Sequence, residues 1–325
     1  MSKPKVAFYW CASCGGCEEA VVDLAENILD VVNAVDIVFW PVALDFKRED
    51  VEQMEDHEID VTFLNGAIRL KEQEEMAKLL RQKSKLMIAF GSCSHLGGIP
   101  GLGNLLNRNE IFQRAYHEVP SLEEHNGKHP ETHVKVPEGE LELPEFYHTV
   151  RALNQVVEVD YYLPGCPPTP KLLLQAVQAI LQDNLPERGT VLAPDKALCD
   201  ECPRNDSKPE KMLINDIKRP HQVHVDPEKC LLAQGIICMG PATRAGCEAL
   251  CINGNMPCTG CFGPTSKVLD QGAKALSAVA SILDYNEEED IQQVMNKIAD
   301  PVGTFYRYGL PVSMLQRRNL AKIKS

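Results

Sequence analysis

Thirteen cysteines stand in a chain of 325 residues, and their spacing says more than their number. The stretch Trp10 to Ala20, WCASCGGCEEA, holds Cys14 and Cys17 on either side of Gly15 and Gly16. Two glycines between two thiols let the backbone fold tightly while both sulfurs face one centre. The residues that follow read as a helix whose N-terminus points back at that centre, where its dipole favours thiolate over thiol. Such a loop is built for a metal. Cys93 in GSC and Cys166 in PGCPP sit among similar turn-forming residues. Cys14, Cys17, Cys93 and Cys166 are therefore expected to form one site, and four thiolates fill a 4Fe-4S cluster. The alternative for this group is zinc, or buried thiols meeting by chance.

Eight further cysteines crowd the stretch from Gly189 to Gly263, which has little hydrophobic periodicity. By local spacing they divide into Cys199, Cys202, Cys230 and Cys238, and into Cys247, Cys251, Cys258 and Cys261. A zinc ribbon is the rival for either group, because CDEC and CTGC pairs also suit tetrahedral zinc. Company favours iron: two more four-thiol sites beside a first cluster read as a relay. A segment so poor in patterning is expected to fold around its inorganic contents rather than around an apolar core. Cys11 is left over, as a small buried hydrophobe or a neighbour of the first cluster. Glu18 and Glu19 stand one step from that cluster, where an acid can relay protons. Carboxylates also simply favour the first turn of a helix, and neither is assigned a role. GGIPGLGN (Gly97 to Asn104) lacks the Lys-Ser/Thr of a phosphate loop and reads as a turn packed on the cluster or on a partner. Among nine histidines only His95, beside Cys93, draws notice.

Composition sets the frame. At 44% apolar residues the chain can bury a sizeable core and is long enough for two domains. No run reaches the length of a membrane span, and no secretory or twin-arginine leader precedes the first strand-like segment, so a cytoplasmic protein is expected. Cysteines in that setting argue for metal ligation over disulfides. The net charge of -13 speaks against nucleic acid as a partner. Acidic residues from Asp45 to Asp60 and from Glu287 to Asp290 read as solvated faces, and Arg307, Arg317, Arg318, Lys322 and Lys324 as a basic, solvated end.

The elements that must position these thiols follow from periodicity. Lys5 to Trp10, Val35 to Trp40, Asp60 to Leu64, Leu86 to Phe90 and Val157 to Leu163 are short and rich in apolar and β-branched residues, as strands buried on both faces should be. Helical patterns occupy Glu18 to Val32, Lys71 to Gln82 and Lys171 to Gln182. This is an α/β order: a doubly wound parallel sheet, in which loops at the carboxyl ends of the strands converge on one crevice. Cys14 and Cys17, Cys93, and Cys166 each follow a strand. A long excursion from Glu118 to Phe146 reads as a surface insertion with little regular structure. Near Leu185 the pattern changes, so residues 1–185 are expected to form the first domain and residues 186–325 a smaller, irregular and helical cluster domain. Helices are expected there at Lys267 to Leu283 and Asp290 to Ala299.

SCGGCE, GSCSHLGGIPG and PGCPPTP, in that order, resemble the small, electron-transferring subunit of nickel-iron hydrogenases. The resemblance implies a flavodoxin-like first domain whose proximal cluster, on Cys14, Cys17, Cys93 and Cys166, faces the nickel-iron centre of a separate large subunit. It implies a distal cluster on Cys199, Cys202, Cys230 and Cys238, with cysteine where many members carry histidine. It implies a medial cluster on Cys247, Cys251, Cys258 and Cys261, with Cys251 at the position of a proline that often leaves a 3Fe-4S centre. All-cysteine ligation and chain length are most similar to the cytosolic group that includes F420-non-reducing hydrogenases, with the F420-reducing gamma and sulfhydrogenase delta subunits as related candidates. The partners so implied are the nickel-iron large subunit and an electron-accepting iron-sulfur subunit linked to heterodisulfide reductase. The quinone-site subunit of respiratory complex I shares the GCPP loop but has tandem cysteines at the first loop and no second cluster domain. Two readings outside this family are a zinc-ribbon scaffold and a free-standing flavin oxidoreductase.

Overall fold

Alternation at every second residue builds the first half. Val6 and Phe8, Val61 and Phe63, and Ile88 and Phe90 lie on one side of a sheet, while Ala7, Leu64, Met87 and Ala89 lie on the other, all buried. A computed structural model describes residues 3–122, 129–285 and 287–317. Its strands are β1 (Lys5–Trp10), β2 (Asp36–Phe39), β3 (Ile59–Asn65), β4 (Ile68–Leu70), β5 (Ser84–Phe90), β6 (His133–Val136), β7 (Gly139–Glu142), β8 (Phe146–Arg151) and β9 (Tyr161–Leu163). The main sheet is parallel in the order β2-β1-β3-β5-β9. Helices α1 (Gly16–Val22), α2 (Asn27–Ala34), α3 (Arg48–Glu52), α4 (Lys71–Lys83), α5 (Gly91–Leu96), α6 (Arg108–Gln113) and α7 (Pro170–Leu181) accompany it. Val21 of α1 and Leu172, Leu173 and Ala176 of α7 cover one face; Val51 of α3 and Met76, Ala77 and Leu80 of α4 cover the other. This is the doubly wound α/β arrangement expected from the pattern.

Several local readings change. The helix expected over Glu18 to Val32 is two helices, because Ala25 adopts a left-handed φ of 51° that turns the chain after the buried Leu24, with the Asn27 side chain donating to Leu24 O at 3.2 Å. The excursion expected to have little regular structure carries the β6-β7 hairpin, and β8 closes on β4; the turn residues Pro137 and Glu138 separate two short strands whose exposed faces hid them. Residues 123–128 of that excursion, and Arg318, Lys322 and Lys324 of the basic end, lie outside the described residues. The cysteine-rich half has an apolar core of its own, in contrast to the expectation. Leu198, Ile217, Leu231, Ile236, Met239 and Ile252 gather with Ala275, Val279, Val294, Phe305 and Leu310. These residues sit on loops and single turns, or on α8 (Leu250–Asn253), α9 (Gln271–Ala280), α10 (Glu288–Asn296) and α11 (Pro301–Phe305), so no period announced them.

The two halves are stitched together. Phe262 is fully buried among the side chains of the first-half sheet. Within the second half, the buried Arg244 pairs with Asp195 at 2.9 Å and donates to the carbonyls of Ala193, Pro194 and Pro264. Residues 311–317 return to the first half, where Gln155 donates to Pro311 O at 2.9 Å and Asn104 to Gln316 O at 3.0 Å.

The start of β9 depends on one charge. Asp160 is buried, pairs with Arg81 at 2.6 Å and Arg188 at 2.8 Å, and accepts the Met87 N–H of β5 at 2.8 Å. Removing one partner of a buried ion pair leaves the other uncompensated, at a cost of about 3 kcal/mol. Asp160→Ala is therefore expected to lower the thermal unfolding midpoint by several degrees, while Glu49→Ala, on the exposed face of α3, leaves it unchanged; calorimetry of both variants checks this.

Candidate metal centre

Three thiol groups occupy the ends and junctions of these elements. In the first, Cys14 leaves β1, Cys17 is the second residue of α1, Cys93 lies in the first turn of α5, and Cys166 follows β9. Helix N-termini thus meet two of the sulfurs, where the dipole favours negative charge. Cys93 was expected on a loop; GSC instead starts a helix. Burial pushes the Cys17 thiol up, and the facing Cys93, Cys166 and Cys14 thiols push it further. Burial likewise raises Cys93 to about 12, with Cys166 and Cys14 again facing it and the Ile99 backbone N–H opposing the rise. Cys17 and Cys93 are buried while Cys14 and Cys166 are exposed.

Glycine makes the approach possible at two points. Gly91 has φ +83°, and a Cβ there would stand 2.2 Å from Cys17 Sγ. Gly98 has φ +58°, and its Cβ would stand 2.5 Å from Cys93 Sγ. Backbone therefore lies directly on both sulfurs, as close approach to a bound group requires. GGIPGLGN packs in two directions: Gly98 on Cys93, and Gly97 and Gly101 on the Pro311 ring.

The group Cys247, Cys251, Cys258 and Cys261 lines a cavity of about 230 Å³, with Cys166 of the first group on its wall. Burial raises Cys261 to about 12, with Cys247, Cys166 and Cys251 facing it. Backbone N–H groups aim at these sulfurs: Ala249 and Leu250 at Cys247, Gly260 at Cys258, and Cys166 at Cys261. The remaining group is equally coherent. Burial raises Cys238 to about 11, with Cys199 and Cys230 facing it and the N–H groups of Gly240 and Cys258 opposing the rise. Cys199 is raised by burial and held back by Lys208, with Cys202 and Cys230 beside it.

The three groups form a row. Cys166 of the first donates its backbone N–H to Cys261 of the second in line. There Cys258 donates its own to Cys238 of the last. Ser92, next to Cys93, braces the first junction: its hydroxyl lies between the carbonyls of Gly165, at 2.8 Å, and Cys261. The Thr243 hydroxyl lies beside the Cys258 sulfur, donates to Met239 O at 2.7 Å and accepts from Gln271, which also donates to Gly260 O at 2.9 Å. Sequence reasoning passed over Ser92, Thr243 and Gln271. For Ser92 a signal was present in its place beside Cys93; the other two carry none.

The remaining candidates fall elsewhere. Cys11 is buried in the apolar cluster on the α3-α4 side of the sheet, donating its backbone N–H to Asn65 O at 2.8 Å, and belongs to none of the thiol groups. Glu18 is buried, accepting from Trp40 at 2.9 Å and Asn65 at 2.8 Å, and burial raises its carboxyl above the usual range. Glu19 is exposed. His95 stacks near Tyr162 at 4.7 Å, and burial lowers it to about 3, with Arg244 adding to the effect; its ring is neutral.

A family model described as NADH ubiquinone oxidoreductase, 20 Kd subunit, matches residues 14–180. The iron-sulfur subunit of the F420-non-reducing hydrogenase of Archaeoglobus profundus is 41% identical over 317 residues, 97% of this chain and 98% of that protein. The like-named hydrogenase subunit of Methanothermobacter thermautotrophicus is 38% identical over 318 residues, 96% of each. Among solved structures, the [NiFeSe] hydrogenase of Desulfovibrio vulgaris Hildenborough has a chain that superposes with a TM-score of 0.51 at 16% identity, covering 82% of this chain and 95% of that one. That likeness is one of fold.

Gly91→Ala should force its methyl group against Cys17 Sγ and displace that sulfur. Purified chain is expected to carry less bound metal than the parent with an unchanged far-UV CD spectrum. Gly189→Ala places a methyl at a similar φ of +88° with no atom within 4 Å and serves as the control for backbone strain alone. Equal metal content in both variants and the parent would show that Cys17 holds none.

Proposed function

The chain belongs to the family of iron-sulfur subunits of F420-non-reducing hydrogenases, which are nickel-iron hydrogenase small subunits, and from that membership we propose that it carries electrons between a hydrogen-activating large subunit and an accepting iron-sulfur protein. The observation that supports this most is the row of three four-thiol groups, each with backbone N–H donors aimed at its sulfurs and each joined to the next by one of them. The proposed ligand sets are Cys14, Cys17, Cys93 and Cys166 for a proximal 4Fe-4S cluster, Cys247, Cys251, Cys258 and Cys261 for a medial one, and Cys199, Cys202, Cys230 and Cys238 for a distal one. When bound, such clusters supply one-electron redox centres.

The residues present suit that group. The medial cavity is lined by its four cysteines among apolar side chains such as Leu198, Ile252 and Phe262. Tetrahedral zinc, with bonds of about 2.3 Å, would draw its sulfurs to about 3.8 Å of one another. Among the described residues no group of three such donors is placed to hold a single metal ion. The chain's own part is to bind, bury and tune. N–H groups of Ile99, Gly240 and Gly260 stabilise negative sulfur, burial of Cys17, Cys93, Cys230 and Cys258 excludes water, and Ser92 fixes the proximal and medial loops at one distance. No side chain needs to act as acid, base or nucleophile.

The proximal end opens outward through the exposed Cys14 and Cys166, where the large subunit would cover it. Residues 1–185 would carry the proximal group and 186–325 the other two. The family model ends at residue 180, in keeping with a first domain shared more widely than the second, while the F420-non-reducing relatives extend across both. No helix among the described residues is long and apolar enough to cross a membrane; the cytoplasm as location and a heterodisulfide reductase-linked acceptor complete the proposal.

The native complex, isolated without oxygen, is expected to be brown, to hold about twelve irons per copy of this chain, and to reduce benzyl viologen with hydrogen. A colourless complex, or a large subunit without nickel, would end this reading. Cys251→Ser is expected to convert the medial centre to a 3Fe-4S signal in the oxidised EPR spectrum; an unchanged spectrum would reject the grouping of Cys251 with Cys247, Cys258 and Cys261.

A further inference from the structure

A cleft of the second half is lined in part by Cys258. About 720 Å³ in volume, it runs between the Ile217–His221 segment and the chain from Lys297 to Arg307. Its floor is apolar, formed by Ile217, Ile236 and Met239, all buried. Its rim is cationic. Lys218, Arg219, Lys297 and Arg307 line it against a single carboxylate, Asp300, which spends one oxygen on the Gly303 N–H at 2.8 Å. Lys297 pairs with Asp216 at 2.5 Å. Among the described residues Lys218, Arg219 and Arg307 have no ion-pair partner, and Arg307 is tethered to its own segment by its Nε donating to Gly303 O at 2.8 Å.

Two features give this rim a meaning. On a chain of net charge -13, an acidic protein is repelled over most of the surface, so a patch of unpaired cations decides where it can approach. Cys258, moreover, lines both this cleft and the cavity shared with Cys247, Cys251 and Cys261, and its sulfur faces Cys238 of the next group. An occupant of the cleft is thus one residue away from the junction between the second and third thiol groups.

We propose that this cleft receives an acidic segment of the protein that takes electrons from the chain, with Lys218, Arg219 and Arg307 as the residues that steer and hold it. The proposal rests on the electron-carrying role proposed above. It places the acceptor over Cys258, at the medial-distal junction, and assigns it acidic chemistry at the point of contact. Carboxylates entering there replace water around the three free cations, and the apolar floor accepts the side chains between them.

Zero-length carbodiimide coupling of the native complex, together with the iron-sulfur protein that copurifies with it, tests the contact directly. Lys218 is expected to be joined to Asp or Glu residues of that protein, as read by peptide mass spectrometry. Lys218 joined only within its own chain or to the large subunit, while other lysines reach the acceptor, overturns the proposal. The pair Lys218→Glu and Arg219→Glu provides the kinetic counterpart. Hydrogen-dependent reduction of the copurifying protein should fall at least tenfold at low ionic strength and lose its dependence on salt, with benzyl viologen reduction unchanged. Undiminished reduction of the protein by that variant also overturns the proposal. If the double variant loses its cluster signals, the coupling result on the parent complex decides alone. A parent complex that fails to reduce benzyl viologen with hydrogen would instead remove the electron-carrying role itself.

Discussion

Backbone N–H groups aimed at cysteine sulfur are the constraint on which the rest of this molecule hangs. A buried sulfur is held protonated by its surroundings unless donors or cations stabilise the thiolate. The donors of Ile99, Gly240, Ala249, Leu250 and Gly260 act against burial at four of the sulfurs. For an N–H to face a sulfur, the chain around the cysteine must turn sharply, and this accounts for the glycines and prolines that punctuate every cysteine-bearing stretch. Two further donors, the N–H groups of Cys166 and Cys258, belong to cysteines of a neighbouring group, so the local need of one sulfur fixes the distance between groups.

Apolar packing and thiol packing are therefore one problem in the second half. Cys230 and Cys258 belong to the same buried cluster as Leu198, Ile236 and Met239, with Cys202, Cys238 and Cys247 at its edge. Without a metal the raised thiols stay protonated. Binding a metal releases those protons and joins loops that carry few backbone hydrogen bonds of regular secondary structure. The helices α9 and α11 pack together and supply the solid side of the domain, while the cysteine loops supply the side that metal completes. Phe262, between Cys261 and Gly263, then locks that side onto the first-half sheet.

The parts of this arrangement that were legible in the residues are those with a short-range signature. Alternation of Val6, Phe8, Val61, Phe63, Ile88 and Phe90 showed the parallel sheet, and the glycines and prolines around Cys14, Cys17, Cys93 and Cys166 showed the first thiol loops. What stayed hidden depends on long-range fit. Nothing in the stretch DLAEN announces that Ala25 turns left-handed and splits a helix in two. The apolar residues of the second half lack a period because they enter its core from turns, each from its own direction. Pro311 seats between Gly97 and Gly101 only because the chain end returns across the molecule, and Ser92 reaches Cys261 from a position 169 residues away.

Charge gives the row of thiol groups a direction. Glu18 adjoins Cys17 and raises the cost of negative charge there, as far as its carboxyl is ionised among the Trp40 and Asn65 donors. At the opposite end Lys208 faces Cys199 and lowers that cost. On the proposed role, Lys208 would favour an added electron on a centre held by Cys199, and an ionised Glu18 would disfavour one on a centre held by Cys17. With the exposed rim of Cys14 and Cys166 at the Glu18 end, these two charges favour the sense from the open proximal surface toward the second half. On the proposed role, that is the sense in which electrons released by hydrogen would travel.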